Sequence, residues 1–370
     1  MTENQFPKLR PVDIHPIVQQ GQQYLLLRDP LQLGEITVSI PRPLAPILGL
    51  CDGTRDSRAL SATLGVRFGI RVTSDVLDHL FDALDEALLL ENERFVRARE
   101  RAVRQYRQAP FRPASLAGRT YPAELDDLRR LFQGYLDEAG DIPPVERVQG
   151  LVSPHIDYER GGSVYARTWS AAREAVREAD LVLMLGTDHF GGEHLLALTY
   201  QDYETPFGVL PTSQSVVETL VEALGEKALD GELYHRHEHS IELGAVWLHH
   251  MRDGEPCEFV PILCGSFYPF VQEGEGDPRD DPTIDTLVRV FRQAARGRRV
   301  LVVAAADLAH VGPAFGGRPV DGVGRAQLKA ADDVLMTHMC AGDVDGFFEA
   351  IKRVKNRYNV CGLPPIYLAL

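Results

Sequence analysis

Three apolar, strand-like runs in this sequence each deliver a histidine. "GLVSP" leads into His155, with Asp157 two residues on. "LVLMLGT" leads into Asp188 and His189, and "LVVAAADLA" carries Asp307 and leads into His310. A fourth histidine, His239, opens the helix-like stretch "HEHSIELGAVWL". Imidazole and carboxylate together suit divalent iron, copper, zinc or manganese. They suit general acid–base work near neutral pH equally well. One strand-end histidine is ordinarily a hydrogen-bonded structural residue. Three such ends, two of them with an aspartate inside the run or directly before the histidine, point to one shared polar site. Other histidines carry less: His235 and His237 read as loop residues, His249 and His250 as a helix end, and His194 and His338 have no supporting context.

Such residues meet only if the chain places several strand ends on one edge. From residue 147 onward, apolar runs alternate with amphipathic ones. The strand candidates are "VQGLVSP", "DLVLMLGT", "LLALTY", "EFVPILCG" and "RVLVVAAADLAH". Helices are expected in "SVYARTWSAAREA", "SQSVVETLVEALG", "HSIELGAVWLHHM", "TIDTLVRVFRQAA", "RAQLKAADDVLMTHMC" and "DGFFEAIKRV". Strands that are apolar throughout belong to a sheet covered on both faces. Their alternation with helices predicts an α/β fold with a largely parallel sheet flanked by helices, in which neighbouring strands end at the same edge. Gly161 and Gly162, just past His155, are expected to leave room for backbone packed against a metal or ligand. No GxSxG, Walker A or GxGxxG pattern is present, so hydrolase, P-loop and dinucleotide-binding readings lose support.

The 370 residues suggest two domains or three. Apolar residues make up 44%, enough for a sizeable core. A net charge of −14 argues against a broad nucleic-acid footprint or a polybasic membrane patch. No run approaches the roughly 20 apolar residues of a membrane helix, and "MTENQFPKLR" has no apolar signal core. A cytoplasmic location is therefore expected. The five cysteines, Cys51, Cys257, Cys264, Cys340 and Cys361, are scattered without a CxxC pair and read as buried or free reduced thiols.

Residues 1–95 have a different texture. "QYLLLRD" and "EITVSI" read as short strands, followed by a helix from a Ser57 cap and a second from a Ser74 cap. The second carries Val76, Leu77, Leu80, Phe81, Leu84 and Leu88 at helical spacing, and "LLENERFVR" is expected to add a wing strand. Together these predict a small winged-helix-like domain. "RARERAVRQYRQ" is basic, and 96–110 is expected as a helical linker.

From about residue 111 the sequence resembles the MEMO family, also called AmmeMemoRadiSam system protein B. The resemblance is carried by "RPASLAGRTYPAELDDLRRLF", "SPHIDYERGGSVYA", "LGTDHF", "YETPFGVLPTS", "EHSIEL", "VPILCGSF", "ADLAHVG" and "CGLPPI", in the family's order. It implies one domain over 111–370 with a fold like class III extradiol dioxygenases and a mononuclear non-haem metal pocket. It implies that His155 and His189 are metal ligands and that His239, with His310 and Asp307 near by, serves the chemistry. It implies a divalent ion, iron first and copper or zinc next, and a radical-SAM protein and an AMMECR-type protein as partners. The resemblance puts the third ligand at Ala309, and alanine cannot bind metal. If the chain stays extended past Pro154, Asp157 faces the same way as His155 and can replace it; His310 is the rival. Relatives continue through further strands after "CGLPPIYLAL". The stretch "LAPILGLCDGTRDSRALSATLGVRFGIRVTSDVLDHLFDALDEALLLE" resembles PqqD-type domains, which implies a peptide ligand. Its acidic second helix speaks against DNA reading. Two functions stay open: a metal-dependent oxidoreductase working with a radical-SAM partner, or a peptide- or protein-binding adaptor that retains the pocket.

Overall fold

The computed structural model describes residues 6–192, 194–274 and 276–370. The chain divides into two units, 1–108 and 109–370.

The first unit opens with an antiparallel sheet, β1 (Asp13–Gln19), β2 (Gln22–Arg28) and β3 (Val38–Pro41), in that order. Gln20 and Gly21 join β1 to β2 with φ of 50° and 78°. Positive φ at both central residues is what a two-residue hairpin turn demands, and glycine meets it without strain. Four helices follow: α1 (Pro46–Leu50), α2 (Ser57–Phe68), α3 (Ser74–Glu86) and α4 (Glu93–Gln108). The cap of α2 is Asp56, not Ser57, because the Asp56 carboxylate accepts from the Ala59 N–H. Thr73 precedes α3 without a side-chain cap. Leu77, Phe81 and Leu84 of α3 pack with Leu60, Leu64, Leu27 and Ile40 into one core. The expected wing strand is a single bridge, Leu90 to Leu9. Asn92 then accepts from the Phe95 N–H and starts α4, so the stretch from Glu93 onward is helical. The basic stretch expected as a linker lies mostly inside α4, within the first unit.

The second unit is built on a five-stranded sheet: β4 (Gly150–Ser153), β5 (Leu181–Thr187), β6 (Leu196–Leu198), β9 (Glu258–Cys264) and β10 (Val300–Ala305). A small hairpin, β7 (Tyr203–Thr205) and β8 (Gly208–Leu210), stands apart from it. The strand order is β4-β10-β5-β9-β6, parallel except for β6. The helices are α5 (Leu125–Ala139), α6 (Tyr158–Ala171), α7 (Arg173–Glu178), α8 (Gln214–Leu224), α9 (His239–Met251), α10 (Pro282–Ala294), α11 (Gly322–Ala341), α12 (Val344–Arg353) and α13 (Leu363–Ala369). Val182 and Met184 of β5 face a core shared with α5, α6 and α9. Leu181, Leu183 and Leu185 face a second core with α8 and α10. Covering on both faces is why β5 is buried at every position and apolar from Leu181 to Gly186. Among the described residues no helix is long and apolar enough to cross a membrane.

Gly161 and Gly162 have a packing role, not the one expected. A Cβ on Gly161 would lie 2.6 Å from Ile156, and one on Gly162 would lie 2.5 Å from the Tyr135 ring of α5. They let α6 close on its neighbours.

Four histidines of this unit are neutral because they are buried. Burial brings His235 down to about 3 and His237 and His250 to about 4, and lowers His249 as well. The unfolded chain takes up protons at these positions first, near 6.5. Their contribution to stability is therefore complete above about pH 6.5 and is lost as the pH falls toward 4. His235, 0% exposed and brought lowest of the four, carries the largest share, about 1.4 kcal/mol per pH unit. Trp169 and Trp247, both buried in this unit, report its unfolding. The urea midpoint of tryptophan fluorescence is expected to drop clearly between pH 7 and pH 5; equal midpoints would contradict this assignment.

Candidate metal centre

The strands β4, β10 and β5 are adjacent and in register: Ser153 pairs with Ala305, and Ala305 with Gly186. Their carboxyl ends are therefore level, and the residues just beyond them meet. Those residues are His155, Asp307 with His310, and Asp188 with His189. The start of α9 brings His239 to the same place. The ring centroids of His155 and His189 are 4.8 Å apart, those of His155 and His239 5.4 Å, and those of His189 and His239 4.5 Å.

Sequence reasoning missed the group at the centre, Cys361. Its Sγ lies 3.3 Å from His155 Nε2 and 3.9 Å from His310 Nε2. One donor atom from each of His155, His189 and Cys361 falls within a common 4.8 Å, and so do donors from His155, Asp307 and His310. The tautomers follow from the other ring nitrogens. His155 Nδ1 is 2.9 Å from the Ala305 carbonyl, His189 Nδ1 is 3.0 Å from Glu238 Oε1, and His310 Nδ1 is 3.0 Å from the Leu308 carbonyl. Each partner only accepts, so each Nδ1 carries a proton when the ring is neutral and leaves Nε2 with a free lone pair. Burial pushes the Cys361 thiol up. Contacts with the His155, His189 and His310 rings outweigh it and bring the thiol down to about 4; a ring that donates to the sulfur does so through an Nε2 proton that a bound ion would replace. At neutral pH the group is a thiolate.

Backbone packing brings Cys361 here. The Gly362 N–H donates to the Asp307 carbonyl at 3.0 Å, and Thr187 Oγ1 donates to the Cys361 carbonyl at 3.2 Å. A Cβ on Gly362 would sit 2.5 Å from the Asp307 carbonyl oxygen and 2.7 Å from the Ala306 side chain. Only glycine allows that approach. The signal in the sequence was the Cys–Gly pair of "CGLPPI", with prolines in the first turn of α13.

Asp157 does not join the cluster. The chain does not stay extended past Pro154: it turns into α6 at Tyr158, with Asp157 as the N-cap. Its carboxylate accepts from the Arg160 N–H at 3.1 Å and from Arg160 Nε at 2.7 Å. Those bonds from Arg160 hold it below the usual carboxylate range. The Asp188 carboxylate accepts from His194 Nε2 at 2.9 Å, a partner for His194 that the sequence did not suggest. His235 and His237 are not in the cluster; His235 hydrogen-bonds Tyr203 and the Ala197 carbonyl. The sulfur donor thus comes from position 361 and not from position 309.

Glu238, the residue before α9, is 1% exposed and lies against both His189 and His239. A cavity of about 450 Å³ opens beside the cluster, with His189 and Cys361 on one side and Phe267, Tyr268, Gln272 and Asn359 among its walls. The cluster can hold one cation on nitrogen and sulfur, next to a space large enough for a small molecule.

Comparison with known sequences adds a family. The profile of the family described as Memo-like protein matches residues 112–370. A MEMO1 family protein of Aquifex aeolicus is 26% identical over 310 residues, covering 84% of this chain and 77% of the relative. A MEMO1 family protein of Pyrococcus furiosus is 27% identical over 264 residues, 68% of this chain and 83% of the relative. One from Archaeoglobus fulgidus is 25% identical, covering 70% and 86%.

Proposed function

The chain belongs to the Memo-like family, and on that premise we propose that its second unit holds one divalent metal ion on His155, His189 and Cys361. The observation that carries the reading is the convergence of the His155 and His189 Nε2 atoms and the Cys361 sulfur at the carboxyl edge of the sheet. Two imidazoles and one thiolate make three protein ligands, the number a catalytic site with an open position uses. This donor set is softer than the aspartate alternative and suits iron(II), zinc(II) or copper(II). Iron is the reading we favour. When bound, the ion supplies redox and Lewis-acid chemistry beside the cavity. His239 stands against His189 and is placed to move a proton at its Nε2. His310 and Asp307 flank the ligands, with Asp307 Oδ2 3.7 Å from His155 Nε2.

The function proposed is a non-haem metal-dependent redox component, with an α/β fold like class III extradiol dioxygenases, acting in the cytoplasm with a radical-SAM protein and an AMMECR-type protein. The parallel sheet with its site at the carboxyl edge supports the fold likeness. The first unit is proposed to be a PqqD-like, winged-helix-type peptide-binding domain. Its three-stranded sheet followed by α2 and α3 supports that reading. The adaptor alternative rests on adaptor-type members of the family and on alanine at position 309; Cys361 offers a third ligand against the second of these arguments.

The test is metal analysis of protein purified without chelator. About one ion per chain is expected, falling below a tenth in His155→Ala. Wild-type protein that carries no transition metal and takes none up would overturn the proposal.

A further inference from the structure

We infer that Glu238 is a positioning residue that sets the ring tautomers of two histidines at once, His189 and His239. For His189 the inference rests on the metal reading above; for His239 it does not. The Glu238 carboxylate accepts four hydrogen bonds. Oε1 takes His189 Nδ1 at 3.0 Å, His239 Nδ1 at 3.0 Å and the Ser240 N–H at 2.9 Å. Oε2 takes the His189 N–H at 2.9 Å. Capping α9 needs only the bond from Ser240, and a short residue would serve as well. The other three bonds reach a loop 49 residues earlier in the chain and a neighbouring ring, which a cap does not require.

The consequence is geometric. With Nδ1–H of both rings aimed at one carboxylate, both Nε2 atoms turn away from Glu238. His189 offers Nε2 to the cluster, and His239, stacked on it at 4.5 Å with an interplanar angle of 23°, offers Nε2 alongside. A carboxylate behind a ligating imidazole fixes ring orientation and raises ligand basicity. Here one carboxylate does this for a ligand and for a proton-transfer group together. Glu238 is itself held from behind: its backbone carbonyl accepts from Arg112 Nη2 at 2.9 Å, and Arg112 is paired with the fully buried Glu242. The backbone that carries the carboxylate is therefore anchored to this pair.

The variant is Glu238→Gln, which keeps size and an oxygen for the Ser240 N–H but replaces one accepting oxygen with an NH2 group. Two readouts are taken on protein labelled with ¹⁵N at histidine. Long-range ¹H–¹⁵N correlation gives the His239 tautomer without metal. In wild type it is expected to carry its proton on Nδ1, the form that free imidazole side chains disfavour, and in the variant to shift toward Nε2–H. Competition with a chromophoric chelator gives Zn²⁺ affinity, expected to fall 10–100-fold in the variant while its circular dichroism stays that of wild type. Glu238→Gln with wild-type His239 tautomer and Zn²⁺ affinity within twofold would overturn the inference. Wild type that binds no Zn²⁺ would sink the metal reading alone, and the His239 tautomer would still decide the role of Glu238.

Discussion

Cys361→Ser is expected to lower the affinity of this chain for Fe²⁺ or Co²⁺ by at least about 100-fold, equivalent to about 2.7 kcal/mol. The substitution exchanges a thiolate, ionised at neutral pH because three imidazoles surround it, for a hydroxyl that stays protonated. The site falls from three protein ligands to two and loses its negative charge, while shape and packing hardly change. Asp157→Asn is the matched control. Its carboxylate is engaged by Arg160 and the first turn of α6, so affinity should stay within twofold of wild type. Competition titration of the two variants separates the alternatives. Loss in Asp157→Asn with retention in Cys361→Ser would reverse the assignment.

Arg112→Met should cost about 3–5 kcal/mol of stability in the second unit, because it leaves a buried carboxylate without its cation. Arg112 and Glu242 are both fully buried and ion-paired. Glu242 also accepts from Tyr121 Oη at 2.6 Å, the Leu116 N–H at 2.8 Å and the Ser115 N–H at 3.1 Å. Burial alone would raise the Glu242 carboxyl. The Arg112 charge and these hydrogen bonds outweigh it and hold the group below its ordinary range. Its contribution is thus present above the unfolded value near 4.3 and is lost as the pH falls through the lower folded value. Urea titration at pH 7, followed by the fluorescence of Trp169 and Trp247, measures the loss. Arg112→Met/Glu242→Gln should recover part of it, since no unpaired charge is then buried. A single variant within 1 kcal/mol of wild type would contradict the role given to the pair. Arg112 also donates to the His235 and Glu238 carbonyls, so the pair ties the segment that leads into α9 to the rest of the core.

The strand ends were legible because two simple regularities coincide. Runs such as "LVLML" are apolar at every position, which marks a strand covered on both faces, and polar residues at the ends of parallel strands share an edge. His155, His189, His239 and His310 could therefore be grouped without coordinates. Cys361 could not, since it meets His155 across 206 residues and only because Gly362 lets two backbone segments touch. A lone cysteine in a loop carries no periodic signal. Asp157 misled for a related reason. Its spacing from His155 has meaning only in an extended chain, and the aspartate itself, as N-cap, ends the extension. In the first unit "LLENERFVR" read as strand from its apolar residues, while Asn92 starts a helix there by capping it.

The most direct measurement is X-ray absorption at the metal K-edge of protein loaded with one equivalent of Zn²⁺ or Fe²⁺. The account predicts one sulfur scatterer at about 2.3 Å and two or three nitrogens at about 2.0–2.1 Å, with the sulfur absent in Cys361→Ser. A shell of nitrogen and oxygen alone in the wild-type protein would contradict it.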